Sequence, residues 1–385
     1  MKSKLLLTPK RIVLVALLFL LTCSQALAET GQQDRSGKSV VSTDSQVSVP
    51  SQKKLYDSGY ATFIVTDNGD LVGWGNNDWQ LLSSNKFPYA APHVILSKVA
   101  AVYPRGRCAL ALRENGELFG WGTDIAGELI FPLEERPYKV KLMDHVVSAG
   151  IGAFHCAAVK ADGTLWTWGR NRESELGIGQ ADEKIHEPQE VMQNMASVYL
   201  HDDITFAIDR EKNVYVWGEY ILSPIRLSAG IVDVAYMYGT KYQLLTEAGQ
   251  IRIFDYQADM DQNGRLKRAD FPIADTDVKS VCNLGYIKTD GSFWRWYETR
   301  EGVSLEKIAD HIVDAQGVVY SNTIMRTSAN EIIATGEHGK VLWQHSMLWV
   351  EVIKNVIAYV ILAPIAILSI LIYRRKSKHK AVKTE

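Results

Sequence analysis

A short pattern of polar, apolar and aromatic positions recurs seven times along the chain. Each copy opens with polar turn residues, usually ending in glycine, continues with apolar residues, and in the clearest copies ends in Trp-Gly. The copies lie at residues 68–75, 115–122, 162–169, 212–218, 248–254, 290–296 and 329–336. Their turn residues are 47, 47, 49, 37, 42 and 39 positions apart. A period of this length predicts either a solenoid or a propeller.

The local chemistry of the repeat favours the propeller. Asn-Gly or Asp-Gly between two apolar runs predicts a β-hairpin, because a type I′ turn needs two residues with positive φ. Further strand-like runs precede each turn, and the strand after it is apolar on both faces. A strand of that kind is covered on both sides, as in stacked blades. The sequence therefore predicts an all-β fold, a seven-bladed β-propeller over residues 54–345.

The third copy carries the clearest likeness to a known family. It consists of His155-Cys156-Ala157-Ala158-Val159, Asp162-Gly163-Thr164-Leu165-Trp166-Thr167-Trp168-Gly169, Asn171 and Glu175-Leu176-Gly177. This pattern resembles the repeats of the regulator of chromosome condensation family, which form seven-bladed β-propellers. The likeness is specific in blades 1 to 3 and degraded in blades 4 to 7. Lys212 replaces the turn glycine in blade 4, and Thr335 replaces the tryptophan in blade 7.

The resemblance implies a fold more than a function. The founding member of the family is a nuclear exchange factor for a small GTPase. Other members are exported bacterial binding proteins, one of which inhibits β-lactamase through loops on a propeller face. The second use implies a rigid disc that presents loops to another protein, and it agrees better with the two ends of this chain.

The N-terminus predicts export. Residues 1–28 contain four basic residues, an apolar run at 12–21 and the small-x-small site Ala26-Leu27-Ala28. This is the pattern of a signal peptide, with cleavage expected after Ala28. Residues 29–53 are rich in Ser, Gln, Asp and Thr, which predicts a flexible Ser-rich linker.

The C-terminus predicts a membrane anchor. Residues 356–373 carry no charge over 18 positions, which as a helix span about 27 Å of a hydrocarbon core about 30 Å thick. We expect one transmembrane helix at 350–373 and, from the six basic residues that follow, a cytoplasmic tail at 374–385. The predicted protein is a single-pass type I protein of the cell membrane, with an extracytoplasmic propeller.

The net charge of −2 conceals an uneven distribution. The first 28 residues carry +4 and residues 374–385 carry +5, which leaves −11 for the segment between them. A domain this acidic repels phosphate backbones, so we expect no nucleic-acid partner. Of the four cysteines, Cys108, Cys156 and Cys282 follow the predicted signal peptide. They predict buried thiols rather than a disulfide framework.

Blade 5 contains a motif typical of calcium loops. Residues 259–270 provide oxygen ligands at positions 1, 3 and 5, a glycine at position 6 and an acid at position 12. The candidate ligands of Ca²⁺ are Asp259, Asp261, Asn263, the carbonyl of Arg265, and Asp270, which replaces the usual glutamate. The alternative is a polar Asn-Gly hairpin inserted in the blade.

The sequence offers no catalytic constellation. It contains no His-Glu-x-x-His, Cys-x-x-Cys, Gly-x-Ser-x-Gly or phosphate loop, and no acidic pair stands out as that of a glycosidase. Most tryptophans recur at repeat positions, whereas Trp79 lies in a loop and is the better candidate for the surface. The predicted function is therefore non-enzymatic binding of a protein or cell-wall ligand by loops at one propeller face. The alternative is an extracytoplasmic enzyme that degrades polysaccharide or peptide.

Overall fold

The computed structural model describes most of the predicted propeller region. The described residues are 55–84, 89–123, 138–261, 263–268, 270–299, 302–317, 323–329, 331–335 and 341–346. All of them belong to one compact unit, Val49–Glu385. The predicted signal peptide, linker, transmembrane helix and basic tail lie outside the described residues. Within these, no helix combines the length and apolarity that a membrane crossing requires.

Seven antiparallel sheets of four strands each confirm the predicted seven-bladed propeller. Blade 1 contains β1 (Leu55–Asp57), β2 (Ala61–Val65), β3 (Leu71–Asn76) and β4 (Tyr89–Leu96). Blade 2 contains β5 (Val99–Arg105), β6 (Cys108–Arg113), β7 (Leu118–Gly122) and β8 (Lys139–Met143). Blade 3 contains β9 (Val146–Ile151), β10 (His155–Lys160), β11 (Leu165–Asn171) and β12 (Asp182–Met192). Blade 4 contains β13 (Met195–His201), β14 (Ile204–Asp209), β15 (Val214–Gly218) and β16 (Ile221–Ser228).

The remaining blades have the same order, with one short helix added. Blade 5 contains β17 (Ile231–Tyr238), β18 (Lys241–Thr246), β19 (Ile251–Asp255), helix α1 (Tyr256–Asp259) and β20 (Ile273–Asp275). Blade 6 contains β21 (Val278–Cys282), β22 (Gly285–Lys288), β23 (Phe293–Thr299) and β24 (Gly302–Ala309). Blade 7 contains β25 (Ile312–Gly317), β26 (Thr323–Thr327), β27 (Glu331–Thr335) and β28 (Val341–Ser346). In each blade the predicted polar turn joins the second strand to the third.

The core lies within and between the blades. Leu118, Leu165 and Val214 begin the third strands of blades 2 to 4 and are fully buried, as the pattern of apolar positions predicts. The repeated tryptophans Trp121 and Trp217 are also fully buried. Buried indole N–H groups need acceptors, and each finds one in a loop of the preceding blade. Trp121 donates to the Leu81 carbonyl at 2.7 Å, and Trp217 donates to the Glu175 carbonyl at 2.9 Å.

Neighbouring blades are joined by a repeated pair of backbone hydrogen bonds. Between blades 1 and 2, the carbonyl of Gly69 accepts from the Val99 N–H at 2.8 Å, and the carbonyl of Lys98 accepts from the Glu114 N–H at 2.9 Å. The same two bonds recur at the next five junctions. Both carbonyl-bearing residues have positive φ at all six junctions, for example 78° at Gly69 and 58° at Lys98. In blade 4 the turn residue is Lys212, which adopts a φ of 65° without being glycine.

The antiparallel order of the strands divides the loops between two faces of the propeller. The turns between second and third strands share one face with the links between blades, and we call this the junction face. The turns between first and second strands share the other face with the connections between third and fourth strands, and we call this the loop face. The long connections of blades 1, 3 and 5 all belong to the loop face.

The ring closes between blades 7 and 1, and none of the described strands is exchanged between them. The four strands of each blade are consecutive in the sequence, and β1 pairs with β2 of its own blade. At the closing junction the N–H of Leu55 donates to the Asp314 carboxylate at 2.8 Å, in a buried hydrogen bond. Around it, Leu55 and Ile64 of blade 1 form a buried apolar cluster with Ile324 and Ile332 of blade 7.

A neutral histidine is built into the junction of blades 3 and 4. His155 is fully buried, and its Nε2 is 2.7 Å from the Thr205 hydroxyl of β14. Burial, together with the nearby charges of Arg170 and Arg105, lowers the pKa of His155 to about 3. The three cysteines after the predicted signal are buried thiols, as predicted.

Replacing Gly116 by alanine is expected to weaken the junction of blades 2 and 3. Its φ is 83°, and an added Cβ would lie 3.3 Å from the Cα of His145. Gly106 also has positive φ, but an added Cβ there meets nothing within 4 Å. We expect Gly106→Ala to lose about 1 kcal/mol and Gly116→Ala about 2 kcal/mol or more of unfolding free energy. Urea unfolding followed by tryptophan fluorescence measures both, and equal losses would contradict a contribution of the junction contact.

Acidification is expected to destabilise the propeller through His155. The unfolded chain binds a proton on this residue below about pH 6.5, whereas the folded chain does so only near the lowered pKa of about 3. The contribution of His155 is therefore fully present above pH 6.5 and is lost as the pH falls towards 3. By pH 5.5 the loss amounts to about 1 kcal/mol. The measurement is the unfolding free energy at pH 7.5 and at pH 5.5. The difference between these two values should be about 1 kcal/mol smaller in His155→Asn than in the natural chain. An equal difference in the two proteins would refute the contribution of His155.

Candidate functional site

The loop face carries unlike side chains at one repeated position. The residue before the second strand is Tyr60, Arg107, Phe154, Asp203 and Thr240 in blades 1 to 5. We call these five residues the variable column. In blades 1, 2, 3 and 5 the backbone carbonyl of this residue accepts a hydrogen bond at 2.8–3.0 Å. The donors are the backbone N–H groups of Asn76, Thr123, Arg170 and Tyr256, which lie in or directly after the third strand of the same blade. The backbone is therefore held alike while the side chains differ.

Three residues of blades 1 and 2 form an aromatic and cationic surface that we call the Trp79 patch: Tyr60, Trp79 and Arg107. The Arg107 guanidinium lies 4.0 Å from the centroid of the Trp79 ring. The Tyr60 and Trp79 rings meet at 66° with their centroids 6.2 Å apart. Tyr60 is 44% exposed and Arg107 is exposed, so the patch is open to solvent.

Backbone and side-chain hydrogen bonds fix the position of the patch. Thr123 links two of its members, because its N–H donates to the Arg107 carbonyl at 2.8 Å and its hydroxyl donates to the Trp79 carbonyl at 3.3 Å. The loop that carries Trp79 is closed by Asn77, whose side-chain oxygen accepts from the Leu82 N–H at 2.8 Å. The patch is therefore held in place before any ligand arrives.

Blade 3 closes its corresponding loop in the same way. Asn171 accepts from the Leu176 N–H at 3.2 Å and donates to the Gln180 carbonyl at 2.9 Å. Gly177 follows with a φ of 69°, and an added Cβ there would lie 2.7 Å from the Trp217 ring. These contacts explain the Asn171 and Glu175-Leu176-Gly177 pattern as loop framework rather than as a binding motif.

A charged cluster occupies the loop face at blades 3 and 4. Arg170 stacks on Phe154 at 3.9 Å and makes ion pairs at 2.8 Å with both Glu175 and Asp203. Burial raises the pKa of Asp203 despite Arg170, and the neighbouring acids raise it further. Burial also raises the pKa of Glu219, and here Asp203 adds to the effect.

A tight hairpin next to this cluster exposes a tyrosine. Glu219 and Tyr220 connect β15 to β16 with positive φ values of 44° and 76°. The hydroxyl of Tyr256, from blade 5, is 2.7 Å from the Glu219 carbonyl and holds the turn. Tyr220, at the tip of this hairpin, is 72% exposed.

Polar and aromatic side chains connect the inner strands of blades 2 to 6. Arg105 pairs with Asp202 across blade 3, and His201 stacks on Tyr236 with the ring centroids 3.8 Å apart. The Tyr199 hydroxyl accepts from the Tyr236 N–H and donates to Asn283, both at 2.8 Å. These contacts tie the inner strands to one another.

The predicted calcium ligands are spread along a hairpin and have partners within the protein. Asp259 is 3% exposed, and its carboxylate accepts hydrogen bonds from two guanidinium nitrogens of Arg268, Nε at 2.6 Å and Nη2 at 2.8 Å. Asp261 accepts the N–H groups of Asn263 at 2.9 Å and Arg265 at 2.7 Å, and Asp270 pairs with Arg252.

The rest of the insertion explains this arrangement. The carbonyl of Arg265 accepts the N–H of Asp261 at 2.9 Å, so the loop turns on itself as a hairpin. Tyr256, Met260 and Phe271 anchor it in a buried apolar cluster that blades 3, 4 and 5 share. No group of three or more His, Cys, Asp or Glu side chains is arranged to hold a metal ion in the described part of the chain.

Trp79 was identified as a surface candidate from the sequence, whereas Tyr60 and Arg107 were not. Neither of these two lies in a motif, and 47 positions separate them in the sequence. The signal that identifies them is the variable column, since aligned repeats that agree elsewhere differ at this position. It becomes meaningful once the fold places the column on the loop face.

Comparison with known proteins supports the repeat assignment. Residues 146–175 and 162–208 match the family described as Regulator of chromosome condensation (RCC1) repeat. A Caenorhabditis elegans protein, the X-linked retinitis pigmentosa GTPase regulator homolog, is 32% identical over 88 residues, which cover 22% of this chain. The human probable E3 ubiquitin-protein ligase HERC3 is 31% identical over 77 residues, or 19% of this chain. These matches span 6% and 7% of the lengths of the two relatives.

Solved structures support the fold. Prp20p of Saccharomyces cerevisiae, described with its binding to Gsp1p and histones, has a TM-score of 0.55 at 15% identity. That alignment covers 74% of this chain and 82% of Prp20p. Human WBSCR16 has a TM-score of 0.50 at 14% identity, over 78% of this chain and 84% of its own. The chain is a seven-bladed β-propeller whose blades 3 and 4 match the regulator of chromosome condensation repeat.

Proposed function

We propose that the protein is a non-enzymatic binding module that holds a protein or cell-wall ligand on its loop face. The observation that carries this proposal is the Trp79 patch. Trp, Tyr and Arg are the residue types enriched at the energetic centres of protein interfaces. Here they stand together on one face, where Tyr60 and Arg107 are exposed, Trp79 is half-buried, and Thr123 binds the backbone of Trp79 and Arg107. A preformed surface of this kind loses little conformational entropy on binding.

The repeat architecture supports the same function. The backbone at the variable column is held by repeated hydrogen bonds, so its side chains differ without disturbing the blades. Binding residues are commonly found on loops that a rigid scaffold positions. The structural relative Prp20p is described by its binding to Gsp1p and histones, which agrees with a propeller used for protein contacts.

The localisation and membrane topology of the protein form the second part of the proposal. Residues 1–28 act as a cleaved signal, residues 350–373 anchor the chain in the membrane, and residues 374–385 face the cytoplasm. The propeller then lies outside the cytoplasm on a single-pass type I protein. The charge of −11 between the two basic ends argues against a nucleic-acid partner.

The enzymatic alternative has one supporting observation. Asp203 and Glu219 have raised pKa values in a group of acids, and perturbed carboxylates are typical of catalytic sites. However, Asp203 is held by Arg170 at 2.8 Å, as in a structural ion pair. Degradation of polysaccharide or peptide that disappears in both Asp203→Asn and Glu219→Gln would favour this alternative over binding.

Photocrosslinking is expected to place the partner on the loop face. We expect p-benzoylphenylalanine at Tyr60 of the full chain to give specific crosslinked products in cells, because this position lies within the Trp79 patch. The matched control is the same probe at Asn115, which is exposed in a turn of the junction face. Crosslinking from Asn115 but not from Tyr60 would refute binding by the loop face.

The proposed localisation predicts that the signal peptide is removed and that the mature chain is anchored in the membrane. N-terminal sequencing of the mature protein should begin at Glu29, because cleavage is expected after Ala28. The full chain should stay in the membrane pellet after extraction with alkaline carbonate, whereas a variant truncated after residue 346 should be released. An intact Met1, together with release of the full chain by alkaline carbonate, would refute the proposed localisation.

Calcium binding by the blade 5 insertion stays a prediction. It requires Arg268 to leave the carboxylate of Asp259, since the guanidinium occupies both oxygens. We therefore expect Arg268→Gln to bind Ca²⁺ more tightly than the natural chain, because a competing cation has been removed. Titration calorimetry with millimolar CaCl₂ measures both proteins, with Asp261→Asn as the control that removes a ligand. Absence of binding heat from both would end the prediction.

A further inference from the structure

Arg107 differs from two other arginines of the loop face, Arg105 and Arg170. Arg105 pairs with Asp202, and Arg170 pairs with Glu175 and Asp203. Arg107 has no ion pair with any described residue, yet its guanidinium is held 4.0 Å from the centroid of the Trp79 ring. Stacking of this kind fixes the plane of the guanidinium while its N–H edge stays available.

The neighbours of Arg107 narrow the kind of ligand. A sugar platform needs an open aromatic face, but Arg107 covers one face of the Trp79 indole, and Tyr60 packs against the same ring at 66°. What remains exposed is the edge of a guanidinium beside the Tyr60 ring, which is 44% exposed. A planar guanidinium matches a carboxylate through two parallel hydrogen bonds.

We propose that Arg107, stacked on Trp79 beside Tyr60, binds a carboxylate of a partner protein, with an apolar side chain of that partner resting on Tyr60. This rests on the proposed function of the loop face and specifies its ligand. The guanidinium supplies charge-assisted hydrogen bonds, and the tyrosine ring supplies apolar contact next to them. Thr123 positions the site by binding the backbone of both Arg107 and Trp79.

The charge of the domain decides what kind of acidic partner is suitable. The segment between the two basic ends carries −11, so a partner with a run of acids is repelled at long range. A single aspartate, glutamate or C-terminal carboxylate flanked by apolar residues avoids most of this repulsion. The site therefore selects an isolated carboxylate in an apolar segment rather than a polyanion.

The test measures the yield of the crosslinked product that p-benzoylphenylalanine at position 60 of the full chain forms with the partner. Arg107→Gln, introduced in that background, should lower the yield of the crosslinked product about tenfold or more, because a charge-assisted hydrogen bond is lost. Arg172→Gln is the matched control, since Arg172 is a 61% exposed arginine of the same face outside the patch. Peptide mapping should place the crosslink next to an acidic residue or a C-terminus of the partner.

A charge exchange then identifies the pair. Arg107→Glu should abolish the crosslink, and replacing the mapped partner carboxylate by lysine should restore it in that variant only. The proposal is overturned if Arg107→Gln leaves the yield unchanged, if the mapped product is a glycan, or if the exchange fails to restore it. Crosslinking from Tyr60 that is insensitive to Arg107 would still leave loop-face binding intact, whereas loss of all crosslinking from Tyr60 in the natural background would refute the proposed function itself.

Discussion

The propeller depends on one repeated hydrogen bond between neighbouring blades. In it, the carbonyl of a turn residue with left-handed backbone accepts from a backbone N–H in the first strand of the next blade. It occurs at six successive junctions, and at each a second left-handed residue adds a reciprocal bond. Positive φ is needed because the turn must aim its carbonyl sideways, out of its own blade. Glycine meets this need at least strain, since its missing Cβ leaves room for the adjacent backbone. Lys212 is the exception, and its ion pair with Glu247 of the next blade accompanies the strained backbone.

A buried hydrogen bond to a side chain lies at the closing junction. The N–H of Leu55 in blade 1 donates to the carboxylate of Asp314 in blade 7. The surrounding cluster is small and made of aliphatic residues from blades 1 and 7. Among the described residues, this hydrogen bond and the apolar packing connect blade 7 to blade 1. Removing a partner from a buried hydrogen bond costs about 1–3 kcal/mol, so Asp314 is a structural residue despite its charge.

Sequence reasoning predicted the parts of the fold that repeat. The turns at Gly69, Gly116 and Gly163 and the strands on either side carry strong patterns, because both faces of those strands are buried. The fourth strands escaped detection, since an outer strand such as β16 is largely exposed and its sequence is mixed. The calcium motif gives the types and spacing of its residues, but not the partners that they meet in the fold. Arg268 pairs with the Asp259 carboxylate, apolar residues anchor the insertion in a cluster of blades 3 to 5, and calcium binding stays a prediction.

Framework and function separate within each repeat. The family match at 146–208 covers framework residues such as Gly163, Trp168 and Gly177, whose roles are to turn the chain, fill the core and admit a neighbouring ring. The Trp79 patch lies outside that match, in blades 1 and 2. Two of its members belong to the variable column, where the repeated backbone bonds hold the chain whatever the side chain is. It follows that similarity to the repeat family carries information about stability, whereas specificity for a partner must be sought in the positions at which the repeats disagree.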